Sequence, residues 1–123
     1  MVKTVSSIAL AAAVLAAGTF APTGAVEAAD KRVCVKNSGG FVARFEVDYD
    51  RNDIRLHTHS GNFTAGTQKC IGVPEDASNM MVSIQEEYFI ASWSTVCQKS
   101  FDTPVNIDAT VKGTTLNASC SGL

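Results

Sequence analysis

The chain has 123 residues, with 10 basic against 12 acidic side chains, a net charge of −2 and no basic run anywhere. Nucleic acid, or an anionic membrane held by charge alone, is therefore excluded as an electrostatic partner. What the composition leaves open is a small β-rich protein in which a modest hydrophobic core must outweigh chain entropy by a narrow margin.

The first segment reads as an export signal. Lys3 stands near the start, an unbroken apolar stretch runs from Ile8 to Ala17, and Gly24, Ala25, Ala28 and Ala29 supply small residues for cleavage. Residues 1–28 are the expected signal peptide, cut between Ala28 and Ala29. The apolar run falls short of the ~20 residues that cross a bilayer, so no stable membrane span is expected. Residues 29–123 then form one secreted domain, extracellular or periplasmic and monomeric.

Beyond the leader the period is two almost throughout, and no 3.6-residue stripe reaches helical length. The spacing predicts strands over Arg32–Lys36, Phe41–Tyr49, Ile54–His59, Gln68–Val73, Met80–Gln85, Phe89–Cys97, Val105–Val111 and Thr114–Cys120. In the second, Phe41, Ala43, Phe45, Val47 and Tyr49 share the dry face, and Val42, Arg44, Glu46 and Asp48 the wet one. A similar alternation sets Val105, Ile107, Ala109 and Val111 inward. Turn chemistry separates the strands at Asn37–Gly40, Asp50–Asp53, Ser60–Asn62, Pro74–Asp76, Thr103-Pro104 and Lys112-Gly113, and Glu86-Glu87 also reads as a turn. The fold expected is all-β: a small antiparallel β-sandwich, or a small barrel, of about eight strands.

Four cysteines beyond an export signal, Cys34, Cys70, Cys97 and Cys120, point to two disulfides and an oxidising compartment. Neighbouring chain ends favour Cys34 with Cys120 and Cys70 with Cys97. The alternative joins sequence neighbours, Cys34 with Cys70 and Cys97 with Cys120.

Chemistry is sparse. Asp48, Asp50 and Asn52 open like a calcium loop, but Asp53 stands where such a loop needs glycine and His59 where it needs glutamate, so a polar turn is the better reading. His57 and His59, two apart on a strand, point the same way, as a zinc or copper site requires. The sequence nominates no third ligand for them. No serine sits in a nucleophile elbow, and adjacent Glu86 and Glu87 face opposite sides of a strand, so no catalytic residues are expected and the protein reads as a non-enzyme needing no cofactor. Tyr88, Phe89 and Trp93 gather aromatic area in one segment. Shared parity with Cys97 favours core packing for Trp93; if exposed, Tyr88 and Trp93 are the natural anchors for a partner, a glycan or a lipid interface. Asn62-Phe63-Thr64 and Asn117-Ala118-Ser119 fit the glycosylation acceptor pattern.

The segments RVCVKNSGGFVARFEV, SGNFTAGTQKCIGVP and GTTLNASC together resemble a group of small secreted four-cysteine β proteins, largely uncharacterised. These share a Cys-x-x-Asn-x-x-Gly-Phe opening, here Cys34, Asn37, Gly40 and Phe41, and a Gly-Thr-Thr-Leu-Asn-x-x-Cys ending, here Gly113 to Cys120. The first part is also similar to the start of thaumatin-like sandwiches, though the chain is shorter and poorer in cysteine. Neither likeness implies an activity.

Two functional readings follow. The first is a non-catalytic exported binding or interaction module, an effector, surface-associated factor or inhibitor whose loops grip an extracellular protein or glycan. The alternative is a membrane-active β-sandwich resembling small cytolysins, with Tyr88, Phe89 and Trp93 at a lipid interface. A third, a secreted metal-binding protein or enzyme, rests on His57 and His59 alone.

Overall fold

Alternation resolves into eight strands: β1 (Lys31–Asn37), β2 (Ala43–Arg51), β3 (Ile54–His59), β4 (Gln68–Val73), β5 (Ser78–Phe89), β6 (Ser92–Phe101), β7 (Ile107–Thr114) and β8 (Asn117–Ser121). The computed structural model describes residues 30–123; the expected leader over 1–28, and its cleavage point, lie outside the described residues. The strands form two four-stranded sheets, ordered β4-β1-β7-β8 and β3-β2-β5-β6. All pairs are antiparallel except β1 with β7, which run parallel from Val33 beside Ile107 to Asn37 beside Val111. This is the expected β-sandwich.

Inward residues of both sheets make one core. Val33 and Val35 from β1, and Ile107, Ala109 and Val111 from β7, face Ala43, Phe45, Val47 and Tyr49 from β2 and Met80, Val82 and Ile84 from β5, all of them buried. The dry face read from Phe41 to Tyr49 is therefore the face that packs. Phe63, from the β3–β4 loop, sets its ring edge-on to Phe45 at 6.1 Å and 86° and closes the core at one end.

The disulfides join sequence neighbours, Cys34 with Cys70 and Cys97 with Cys120, which corrects the pairing favoured by chain-end proximity. Strand order is the reason. β7 lies between β1 and β8, so Cys34, level with Asp108, and Cys120, level with Val111, stand two strand spacings apart across the sheet, about 10 Å, and are further offset along it, beyond the reach of a disulfide. Cys34 is instead directly opposite Cys70 across the β1–β4 ladder. Cys97 and Cys120 lie on edge strands of different sheets and cross-link the two layers.

Two expected turns are strand. Glu86 and Glu87 belong to β5, a 12-residue strand whose turn comes only at Ile90-Ala91. Lys112 and Gly113 belong to β7, and the reversal falls at Thr115-Leu116. Gly113 adopts φ 105°, and a Cβ there would run into the carbonyl oxygen of Asn117, so the approach of β8 requires glycine at this position.

Candidate functional site

Chain direction brings four connections to one end of the sandwich: the β1–β2 loop, the β3–β4 loop, and the turns of the β5–β6 and β7–β8 hairpins. Asn37, the last residue of β1 and fully buried, ties the first two together. Its Nδ2 donates to the carbonyls of Phe41 (2.7 Å) and Phe63 (3.2 Å), and its Oδ1 accepts from Gly39 N–H (2.9 Å). Backbone bonds extend the frame: Gly40 N–H donates to Gly113 O (3.0 Å), and Glu87 N–H donates to Val42 O (2.9 Å). Loops locked this way present their tips on a rigid base.

The tips are apolar and bare. Tyr88, Phe89 and Ile90 on the β5–β6 hairpin are 43%, 67% and 94% exposed, and Leu116 on the β7–β8 turn is 79% exposed. Beyond Glu87, whose N–H still reaches Val42 O, β5 pairs only with β6, so the hairpin projects as a two-stranded ribbon. Ala91 closes it at φ 64°, its N–H donating to Glu87 Oε2 at 2.9 Å. The Tyr88 and Phe89 rings meet edge-on, 4.6 Å apart. The remaining exposed large hydrophobes among the described residues, Ile54 and Leu56, belong to β3, whose first residue follows the turn at the opposite end.

Trp93 takes neither of the places the sequence offered it. A register shift between Ile84 and Gln85, where Cys97 and then Thr95 are the partners, breaks the parity that linked it to the core. It is half-buried under the guanidinium of Arg44, 4.0 Å from the ring centroid, and Arg44 Nε donates to Gln85 Oε1 at 2.7 Å. Tyr88 is exposed, as an anchor must be. Ile90 and Leu116 are missed by sequence reading because a lone aliphatic residue beside a turn looks the same whether buried or bare.

A second cluster lies on the outer face of the β3-β2-β5-β6 sheet. Register sets Glu46 opposite His59 and Asp48 opposite His57. His57 Nδ1 is 2.9 Å from Asp48 Oδ1 and 3.3 Å from Glu46 Oε2, and His59 Nδ1 is 3.8 Å from Glu46 Oε1. The Asp48 carboxylate holds the His57 imidazole above its ordinary pKa, chiefly by accepting its hydrogen bond. Glu46 is also raised, first by its hydrogen bond with Asp48 and then by burial. Asp50 does not join them. It accepts from Asn79 Nδ2 (2.9 Å) and pairs with Arg55 (3.0 Å), which keep its carboxyl below the usual range, so Asp48, Asp50 and Asn52 do not converge on one ion.

Glu86 faces inward near the tip, 4% exposed, with Oε1 unpartnered, and burial raises its pKa. No helix among the described residues is long and apolar enough to cross a membrane. All four cysteines are paired, which belongs to an oxidising compartment.

Residues 32–119 match the family model of the thiol-activated cytolysin beta sandwich domain. Among solved structures the chain is similar to a Gram-negative toxin (TM-score 0.58, 23% identity, covering 76% of this chain and 22% of that one). It is similar to listeriolysin O (TM-score 0.57, 23% identity, 76% and 22% coverage). It is also similar to the membrane-binding domain of pneumolysin (TM-score 0.57, 21% identity), covering 75% of this chain and 94% of that one. At these identities the likeness is one of fold. The chain spans about a fifth of the length of the two full toxins and nearly all of the isolated domain. A comparison with curated protein sequences returns no match.

Proposed function

The chain belongs to the thiol-activated cytolysin β-sandwich domain family, and from that membership we propose that it is an exported, non-enzymatic membrane-docking module whose hairpin tips enter a lipid interface. The observation that carries this reading is the placement of Tyr88, Phe89, Ile90 and Leu116, bare and at one end, on turns anchored through Glu87 and Gly113. An apolar patch held out into water in this way needs an apolar partner. Fully burying one such side chain contributes about 1.5–3 kcal/mol, so the four, scaled by their exposure, contribute about 4–8 kcal/mol, most of which offsets the cost of association and leaves weak binding. Affinity of that kind suits reversible docking. The similarity to a structure described as the membrane-binding domain of pneumolysin supports a lipid surface over the more general protein or glycan partner. The expected leader and the two disulfides support export.

The proposal separates docking from lysis. The chain spans about a fifth of the length of the full toxins it resembles, and docking alone is proposed for it. Flotation of the purified chain with zwitterionic, anionic and sterol-containing vesicles tests it, with an entrapped dye reporting leakage. Co-flotation with at least one vesicle type, without dye release, is the expected result. A chain that stays in the dense fraction with every composition overturns the reading.

A further inference from the structure

We propose that the outer face of the β2–β3 ladder is a binding site for one first-row divalent metal ion, zinc by donor chemistry, held by Glu46, Asp48 and His57 with His59 completing the set. The site lies on the outward face of a sheet, formed by Glu46 and Asp48 from central β2 and by His57 and His59 from edge strand β3.

Three observations converge. The first is geometric. Donor atoms of Glu46, Asp48 and His57 all lie within 4.8 Å of one another. Tetrahedral zinc with bonds of ~2.0–2.1 Å spaces its ligand atoms ~3.3 Å apart. His57 Nδ1 already stands 2.9 Å from Asp48 Oδ1 and 3.3 Å from Glu46 Oε2, so closing the shell asks only for small side-chain rotations. His59 Nδ1 lies 3.8 Å from Glu46 Oε1, beside the three.

The second is electrostatic. The Asp48 side chain is only 8% exposed, yet among the described residues no lysine or arginine pairs with it or with Glu46. The arginines beside the cluster in sequence on these two strands are committed elsewhere, Arg55 to Asp50 and Arg44 to Gln85 and Trp93. Two adjacent carboxylates, one of them buried, have only the two imidazoles as charge partners, and a divalent cation held between these groups offsets their charge more fully. The third is the donor set. Imidazole nitrogen with carboxylate oxygen suits zinc, copper or nickel, whereas calcium and magnesium take oxygen alone. Without metal, His57 Nδ1–H donates to Asp48; the ion takes the place of that proton, and Nε2–H remains free for solvent.

Zinc chloride titrated calorimetrically into the chain, purified without a histidine tag and stripped with chelator, tests the site. One equivalent binds with micromolar affinity, His57→Ala and Asp48→Asn each weaken it at least tenfold, and His59→Ala weakens it less. Each stripped variant melts within a few degrees of the parent, and a tenfold excess of calcium or magnesium leaves zinc binding intact. The proposal is overturned if the parent chain shows no saturable zinc binding, if His57→Ala and Asp48→Asn bind as the parent does, or if calcium displaces zinc at equal concentration.

Discussion

Replacing Phe89 and Ile90 by serine removes the most exposed apolar part of the β5–β6 tip without touching the core cluster. Their 67% and 94% exposure is the surface available to lipid. Scaling the ~1.5–3 kcal/mol of a fully transferred side chain by those fractions gives about 1–2 kcal/mol for Phe89 and about 1.5–3 kcal/mol for Ile90. Even the lower end of the combined loss, about 2.5 kcal/mol, lowers the membrane partition coefficient by roughly fiftyfold or more. Titrating lipid against a fixed amount of protein and measuring the floated fraction reads that loss directly, and Ile54→Ser, at the opposite end, serves as the control. The double variant should keep its melting midpoint within about 3 °C, since neither side chain packs in the core. A partition coefficient reduced less than threefold, or one reduced equally by Ile54→Ser, refutes the reasoning.

Three further outcomes follow from the same structure. Removing the inter-layer cross-link with Cys97→Ser and Cys120→Ser, 23 residues apart, should cost about 3.5 kcal/mol by chain entropy and lower the midpoint by roughly 15–25 °C; reductant acting on both bridges should do more, and a midpoint unmoved by either treatment would contradict the cross-linking. Asn37→Ala removes the side-chain donor of Phe41 O and one of the two donors of Phe63 O, which keeps Ala43 N–H, and this costs about 1–3 kcal/mol; vesicle binding should fall even where the variant remains folded, and unchanged thermal stability would show that the side chain does not hold the loops. Burial raises the pKa of Glu86 in the folded state, so its contribution to stability is present below the unfolded value of ~4.3 and is lost as pH rises through the raised folded value. Glu86→Gln should therefore match the parent near pH 4 and melt higher than it at pH 7 to 8; a difference that does not vary with pH would refute this.

Sequence reading succeeded where one face of a strand is dry. The alternation through Phe45, Val47 and Tyr49 and that through Ile107, Ala109 and Val111 fixed face and register, because slipping by one residue would turn every apolar side chain to solvent. Ile54–His59 and Gln68–Val73 also end where turn residues said they would. The failures lie where pairing and not pattern decides. The acidic pair Glu86-Glu87 looked like a turn, yet the ribbon continues past it through two register shifts and reverses at Ile90-Ala91, where no glycine, asparagine or proline marks the place. The cysteine pairing depended on β7 lying between β1 and β8, a parallel arrangement that spacing does not reveal. Half of the candidate docking surface was visible as an aromatic cluster at Tyr88 and Phe89. The other half, Ile90 and Leu116, emerges only when hairpins distant in sequence are seen at one end. The histidine pair was legible on its own strand, but its carboxylate partners became evident only from the β2–β3 register.

The central claim is that the end carrying Tyr88, Phe89, Ile90 and Leu116 meets the membrane. Trp93 is the sole tryptophan, so Trp93→Phe leaves a silent background into which Ile90→Trp or Ile54→Trp can be placed singly, one at each end of the sandwich. Fluorescence is then measured with vesicles whose acyl chains carry bromine quenchers. The account predicts a blue shift and strong quenching for Ile90→Trp and no change for Ile54→Trp. Equal quenching at both positions, or quenching at Ile54→Trp alone, would contradict it.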